Sequence, residues 1–268
     1  MSKNKVGFIG AGNMATAIIN GMLKSKEYNP CDIYIFDLDE NKKELMKKIG
    51  VNVCKTSVEV LNSSEYVVLA IKPQNYPDVL TEIKDAVKNN HVIISIAAGI
   101  SIEFIKSYIS TDCDFVRVMP NTPLLLGCGA SAICSSANIS KEKLDVASKL
   151  FSASGIVEFL DEDKMNAVIA VNGSSPAYVY LFARALLDYA NAQGIDEKSA
   201  VNLVCSTLEG SAKMIRESGN TPQELIKAVS SPGGTTLEAL KVLEENKFYE
   251  TLISAMENCT RRANELSK

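Results

Sequence analysis

Histidine occurs once in this 268-residue chain, at His91. One imidazole cannot build a histidine-based metal centre, and no C-x-x-C pair exists to build a thiolate one. The seven cysteines, Cys31, Cys54, Cys113, Cys128, Cys134, Cys205 and Cys259, are odd in number and irregularly spaced. That pattern fits free thiols in a reducing compartment better than a disulfide framework. Long apolar runs are missing too: Val67–Ile71 and Val92–Ala98 have the length of strands, far short of a membrane span. Positive charge is not in excess. With Lys+Arg 28 against Asp+Glu 32, net −4, the chain lacks the broad basic surface that nucleic acid requires. Met1–Lys5 leads straight into a strand-like Val6-Gly-Phe-Ile9 without a signal-peptide apolar stretch. The expected location is the cytoplasm, with neither nucleic acid nor membrane as a partner.

The composition, 46% hydrophobic and 22% charged, is that of a folded protein long enough for one large or two modest domains. The first part alternates in type. Val6–Ile9, Ile33–Phe36, Tyr66–Ile71, Val92–Ile96 and Phe115–Met119 read as short buried strands. Met14–Leu23, Glu40–Ile49, Tyr76–Lys88 and Ser101–Ile109 read as the helices between them. This alternation predicts a parallel sheet with helices on both faces. Lys141–Ser152 and Glu162–Val171 also read as helices. From there the pattern is helical throughout: Tyr178–Ala192, Asp196–Glu217, Thr221–Val229, Thr236–Glu245 and Phe248–Leu266. The expected division is therefore an α/β domain over 1–160 and an all-α domain over 161–268. The later helices carry Ala, Leu, Val and Ile around much of their circumference. Such faces are hard to bury in about a hundred residues, which predicts packing against a second subunit.

Gly10-Ala-Gly-Asn-Met-Ala15 matches G-x-G-x-x-G/A directly after the first strand and opens a helix. Gly10 permits the tight turn, Gly12 lets backbone approach a pyrophosphate, and Ala15 keeps the helix close to the strand. The helix N-terminus offers free N–H groups to phosphate. Asp37 stands at the end of the second strand, where a carboxylate accepts a ribose hydroxyl and repels a 2′-phosphate. NADH is therefore favoured over NADPH, with use of both compatible. Asp37 also reads as an N-cap of the following helix. Lys42 and Lys43 read as solvent-facing.

These motifs resemble one family, the pyrroline-5-carboxylate reductases, over nearly the whole chain. The resemblance rests on Gly7-Phe-Ile-Gly-Ala-Gly-Asn-Met14, Ala70-Ile-Lys-Pro-Gln74 and Ser95-Ile-Ala-Ala-Gly99. It also rests on Arg117-Val-Met-Pro-Asn-Thr-Pro123, Gly173-Ser-Ser-Pro-Ala-Tyr178 and, most specifically, Val229-Ser-Ser-Pro-Gly-Gly-Thr-Thr236. It implies a Rossmann NAD(P)-binding domain followed by a helical domain that interleaves with a second copy, and dimers that assemble into rings such as a decamer. It implies reduction of the C=N bond of 1-pyrroline-5-carboxylate to L-proline, the last step of proline biosynthesis. Cofactor contacts are then expected from Ile9, Gly10, Ala11, Gly12, Asn13, Met14, Asp37, Ser57, Ala70, Ile71, Lys72, Pro73, Ala97 and Ala98. Two features depart from the family pattern: Asp37 is acidic where many relatives carry a small or amide residue, and Asn172 and Ser175 alter a loop often written Ser-Gly-Ser-Gly-Pro.

A protonated cyclic imine accepts hydride readily, so such an enzyme needs no strong general acid. None is evident here, since His91 reads as a surface residue. The substrate's carboxylate needs N–H donors, which Gly233, Gly234, Thr235 and Thr236 supply where a glycine turn meets a helix start. By resemblance, Thr236 places a hydroxyl near the ring nitrogen and Ser231 shapes the carboxylate pocket, both as catalytic residues. Val229, Leu237 and Asn121 are expected at the substrate. Asn121 and Thr122 otherwise form a proline-stiffened turn. Glu162 either approaches the cationic imine or belongs, with Asp161 and Asp163, to a helix-start charge cluster. Lys72 lies along the ribose or in solvent. A ketoacid or hydroxyacid reductase is the competing enzyme. It is expected to carry a lysine in the first long helix of domain two, where Tyr178–Ala192 has only Arg184 and Asp188. A non-catalytic NAD(H) sensor would have no use for the Thr235-Thr236 anion pocket.

Overall fold

The structure, a computed structural model, describes residues 4–267. Its sheet contains β1 Val6–Ile9, β2 Ile33–Phe36, β3 Asn52–Val53, β4 Tyr66–Leu69, β5 Val92–Ser95, β6 Asp114–Pro120, β7 Gly129–Ser135 and β8 Gly155–Phe159. The strand order is β3-β2-β1-β4-β5-β6-β7-β8. Strands β1 to β6 are parallel as the alternation predicts, with Phe8 beside both Ile35 and Val68. The connecting helices are α1 Asn13–Lys24, α2 Glu40–Lys48, α3 Ser57–Ser63, α4 Tyr76–Ile83, α5 Ile102–Lys106 and α6 Lys141–Ser152. Side-chain alternation sends Val6, Phe8, Val68 and Ile94 to one face, beneath α1 and α6. Ile9, Val67, Leu69 and Ile93 face the other side, beneath α3, α4 and α5.

The last two strands run the other way. Strand β7 is antiparallel to β6, with Val118 opposite Ile133, and β8 is parallel to β7. Only the 3-10 turn Thr122–Leu126 joins β6 to β7, too short for the crossover a parallel pair needs. Helix α6 supplies that crossover between β7 and β8. The sequence reading also places one helix over Glu162–Val171. The backbone instead forms a 3-10 turn Glu162–Lys164, the short α7 Met165–Val168, and a π-helical turn Ile169–Gly173 in which Ser174 N–H donates to Ile169 O at 2.8 Å.

His91 is not at the surface. Its ring is buried, its Nδ1 accepts from Lys88 N–H at 2.9 Å, and its Nε2 lies 3.1 Å from Leu61 O. The proton must therefore sit on Nε2 and point at that carbonyl. The polar setting Asn89-Asn-His91 suggests exposure, but the ring is buried and closes the end of α3 through Leu61 O.

The remaining helices are α8 Ser175–Ala192, α9 Glu197–Glu217, α10 Pro222–Ala228, α11 Thr235–Glu245 and α12 Phe248–Leu266. Among the described residues, 4–176 with 258–267 form one compact unit and Ala177–Glu257 a second. A boundary at 160 follows the change of secondary structure, since the last strand ends at Phe159. Compactness divides the chain later, because Met165 is wholly buried against the sheet and Ala263, near the end of α12, is buried in the same unit. The second unit has almost no interior: of its large apolar side chains, only Val204 is buried. Among the described residues, no helix is long and apolar enough to cross a membrane.

Candidate active site

A candidate cofactor site forms where β1, β2 and β4 end. Gly10 has φ +98°, and a Cβ there would stand 2.5 Å from Ala70 O, so only glycine turns the chain this tightly. The turn is locked by Gly10 N–H donating to Phe36 O at 2.7 Å and Ala70 N–H donating to Ile9 O at 2.8 Å. Gly12 heads α1 with no side-chain cap, and a Cβ there would meet nothing within 4 Å. Open space over an uncapped helix N-terminus is what a pyrophosphate needs, so these residues fit a dinucleotide. Ala15 is completely buried and lets α1 lie close on the sheet.

The structure brings most of the expected cofactor residues together. Ile9, Gly10, Gly12, Asp37, Ser57, Ala70, Ile71 and Lys72 line one cleft, joined by Phe36, Leu38, Lys42, Asn75, Val79 and Glu82. Pro73 opens the turn beyond Lys72, while Ala97 and Ala98 follow β5 and do not line this cleft. Asn13 and Met14 form the first turn of α1.

Asp37 is not a helix cap; Asp39 is, accepting from Asn41 N–H at 2.9 Å. Asp37 Oδ2 accepts from Ala11 N–H at 2.7 Å, and Oδ1 accepts from Asp39 N–H at 2.8 Å. Burial pushes this carboxyl up, but the two N–H groups and the nearby Lys42 outweigh it and hold it below the ordinary carboxylate range. The carboxylate is thus ionised and fixed to the glycine turn. Lys42 Nζ stands 3.4 Å from Asp37 Oδ2 and lines the cleft while its side chain stays 40% exposed, so Lys42 faces solvent and the site together. Lys43 is also folded back, pairing with Glu40 and lying over the Phe36 ring at 5.8 Å.

Two expected substrate residues are held by the protein itself. Asn121 Nδ2 donates to Asn172 Oδ1 at 2.9 Å, and its Oδ1 accepts from Ala130 N–H at 2.9 Å. Asn172 in turn donates to Met119 O and Ala130 O at 2.8 and 3.0 Å, tying the π-helical turn to the β6–β7 connection. Thr122 is exposed at the start of that connection. Glu162 Oε1 accepts from Ile102 N–H at 2.7 Å, the first residue of α5, and lies 3.8 Å from Arg117 Nη1. Arg117 is buried, and its Nη2 donates to Asn166 Oδ1 at 2.6 Å. Sequence reasoning named Arg117 and Asn172 only within motifs, gave neither a partner, and missed Asn166. The one available signal was a charged residue inside an apolar strand, which must find a partner when buried.

A separate candidate site lies in the helical unit. Helix α10 is capped by a Thr221–Glu224 box and ends before Val229. Ser231, Pro232 and Gly233 then turn the chain through a positive φ of 72° at Gly233, with Gly234 N–H donating to Ser231 O at 2.9 Å. Helix α11 starts at Thr235, one residue earlier than expected, with no side-chain cap on its N-terminus. Ser231, Val229, Thr235 and Leu237 are exposed, and Thr236 and Gly234 partly so. An uncapped helix start beside two threonine hydroxyls can hold a carboxylate and still offer a neutral hydroxyl to a ring nitrogen.

Residues 162–266 match the model of the family described as pyrroline-5-carboxylate reductase dimerisation. Residues 5–99 match the one described as NADP oxidoreductase coenzyme F420-dependent. The pyrroline-5-carboxylate reductase of Escherichia coli is 34% identical over 99% of each chain. That of Arabidopsis thaliana is 36% identical over 98% of this chain and 96% of its own. A solved Plasmodium falciparum pyrroline carboxylate reductase with NADP bound superposes with a TM-score of 0.92 at 29% identity, covering 100% of both chains.

Proposed function

This chain belongs to the pyrroline-5-carboxylate reductase family, and we propose that it reduces the C=N bond of 1-pyrroline-5-carboxylate to L-proline. The hydride comes from NADH or NADPH, and supplying it is the cofactor's chemistry. The protein's part is to hold, orient and screen. Gly10, Ala11, Gly12, Asn13 and Met14 hold the pyrophosphate on the α1 N-terminus, and Ser57, Ala70, Ile71, Lys72 and Pro73 border the rest of the cleft. Ala97 and Ala98 are assigned to the nicotinamide side.

The observation that carries the substrate assignment is the bare N-terminus of α11 behind the left-handed Gly233. The N–H groups of Thr235 and Thr236 are assigned to the substrate carboxylate, and the Thr236 hydroxyl to the ring nitrogen. Ser231, Val229 and Leu237 shape the surroundings. The cyclic imine arrives protonated at its ring nitrogen, so the hydride adds to the C=N carbon and no side chain needs to deliver a proton to the nitrogen. Asn121 and Glu162 are assigned a positioning role, since their polar atoms already serve the backbone at Ala130 and Ile102.

The chain acts as an oligomer, and we extend this to a dimer formed by the helical unit and to a decameric ring of such dimers. A cytoplasmic location is consistent with seven free thiols.

Nicotinamide oxidation with pyrroline-5-carboxylate tests the proposal. Turnover by the native protein, and its collapse in Thr236→Ala with cofactor binding intact, is the expected result. Cofactor binding without turnover would point to the sensor. Turnover of a ketoacid in its place would point to the competing reductase.

A further inference from the structure

We infer that Lys42 is the residue that lets this cleft accept a 2′-phosphate despite Asp37, making the Asp37–Lys42 pair the device that sets the balance between NADPH and NADH. The inference rests on the reductase reading above and concerns the adenosine-ribose end of its cofactor cleft. A lone carboxylate there repels a 2′-phosphate. This carboxylate is not alone, and it is not mobile either. Its two oxygens are pinned by Ala11 N–H and Asp39 N–H, so it cannot swing away to make room. Lys42 is the less constrained member. Its side chain is 40% exposed against 12% for Asp37, its contact at 3.4 Å is long, and it already lines the cleft.

The pair therefore has two settings. With the ammonium beside Asp37 Oδ2, the charges at the ribose end largely cancel, and a neutral 2′-hydroxyl faces a fixed acceptor. With the ammonium turned toward a 2′-phosphate, Asp37 keeps its two backbone donors and remains satisfied. A lysine, as a flexible point charge with three donors, suits this exchange better than a planar guanidinium. Lys43 cannot substitute, because its amine is committed to Glu40 and to the Phe36 ring.

Calorimetric binding of NADP+ and of NAD+, without substrate, tests this in the full-length protein with Lys42→Met, Lys42→Arg and Lys43→Met. Losing one charge-assisted contact predicts about tenfold weaker NADP+ binding in Lys42→Met, with NAD+ changed less than about twofold. Lys42→Arg is expected to recover part of the NADP+ affinity, and Lys43→Met to leave both cofactors unchanged. The salt dependence of NADP+ binding should flatten only in Lys42→Met. Equal weakening of both cofactors, or no change in either, would overturn the inference. A lack of pyrroline-5-carboxylate turnover by native protein would instead fault the reductase reading and leave this binding result standing.

Discussion

In the α/β unit Val6, Phe8, Ile33 and Ile94 have no accessible surface, whereas in the helical unit Leu181, Leu203 and Tyr249 are 67%, 62% and 72% exposed. Both regions are rich in the same kinds of residue, so composition does not distinguish them. The difference is geometric. A sheet covered on both faces buries its strands within one chain. Helices that are apolar around much of their circumference need neighbours on several sides, and Ala177–Glu257 does not provide them. Faces of this size on a single chain mark an interface. On the proposed reading the helical unit is half of a core whose other half is a second copy, which would couple its folding to assembly.

Charge placed in the helical unit should do the greatest damage. Leu181→Glu with Leu203→Glu is expected to abolish assembly and activity together, which sedimentation and turnover assays would detect side by side. Retained assembly in that variant would break the comparison. In the α/β unit, Ile94→Ala removes a buried side chain and should cost about 2–5 kcal/mol in denaturant unfolding, without changing the subunit number. Thr236→Ala is expected to lower kcat/KM about 10- to 100-fold, the loss of a hydrogen bond to a charged group, while cofactor affinity and assembly stay as they were. The smallest effect belongs to His91. Burial drives its pKa down, so as pH falls below about 6.5 the unfolded chain takes up the proton first. Stability conferred by the neutral ring is complete above that pH and declines as pH falls toward the folded-state value. His91→Gln should flatten the pH dependence of the melting temperature between about pH 5 and 7, the range over which imidazole titrates.

What the sequence shows in advance and what it hides follow from how local each feature is. The glycine turn, its helix and Asp37 lie within one βαβ unit, and their spacing alone announces a dinucleotide site. The Ser231–Thr236 loop is equally local. Strand β7, by contrast, reads Gly-Ala-Ser-Ala-Ile-Cys-Ser, small residues with little strand signature, and its direction depends on the length of the turn before it. The Asn121–Asn172 amide pair joins positions 51 residues apart, and Glu162 caps a helix 60 residues upstream. Such partners become visible only once the chain is folded. The contact of Lys42 with Asp37 is hidden for a related reason: a helix-start lysine reads as merely solvated until the strand end beside it is known to carry a fixed carboxylate.

Sedimentation equilibrium of the native protein over a wide concentration range tests the central claim most directly, namely that the helical unit is completed by another copy. The account predicts dimers or multiples of dimers throughout, with no folded monomer at micromolar concentration. A stable, fully active monomer would contradict it.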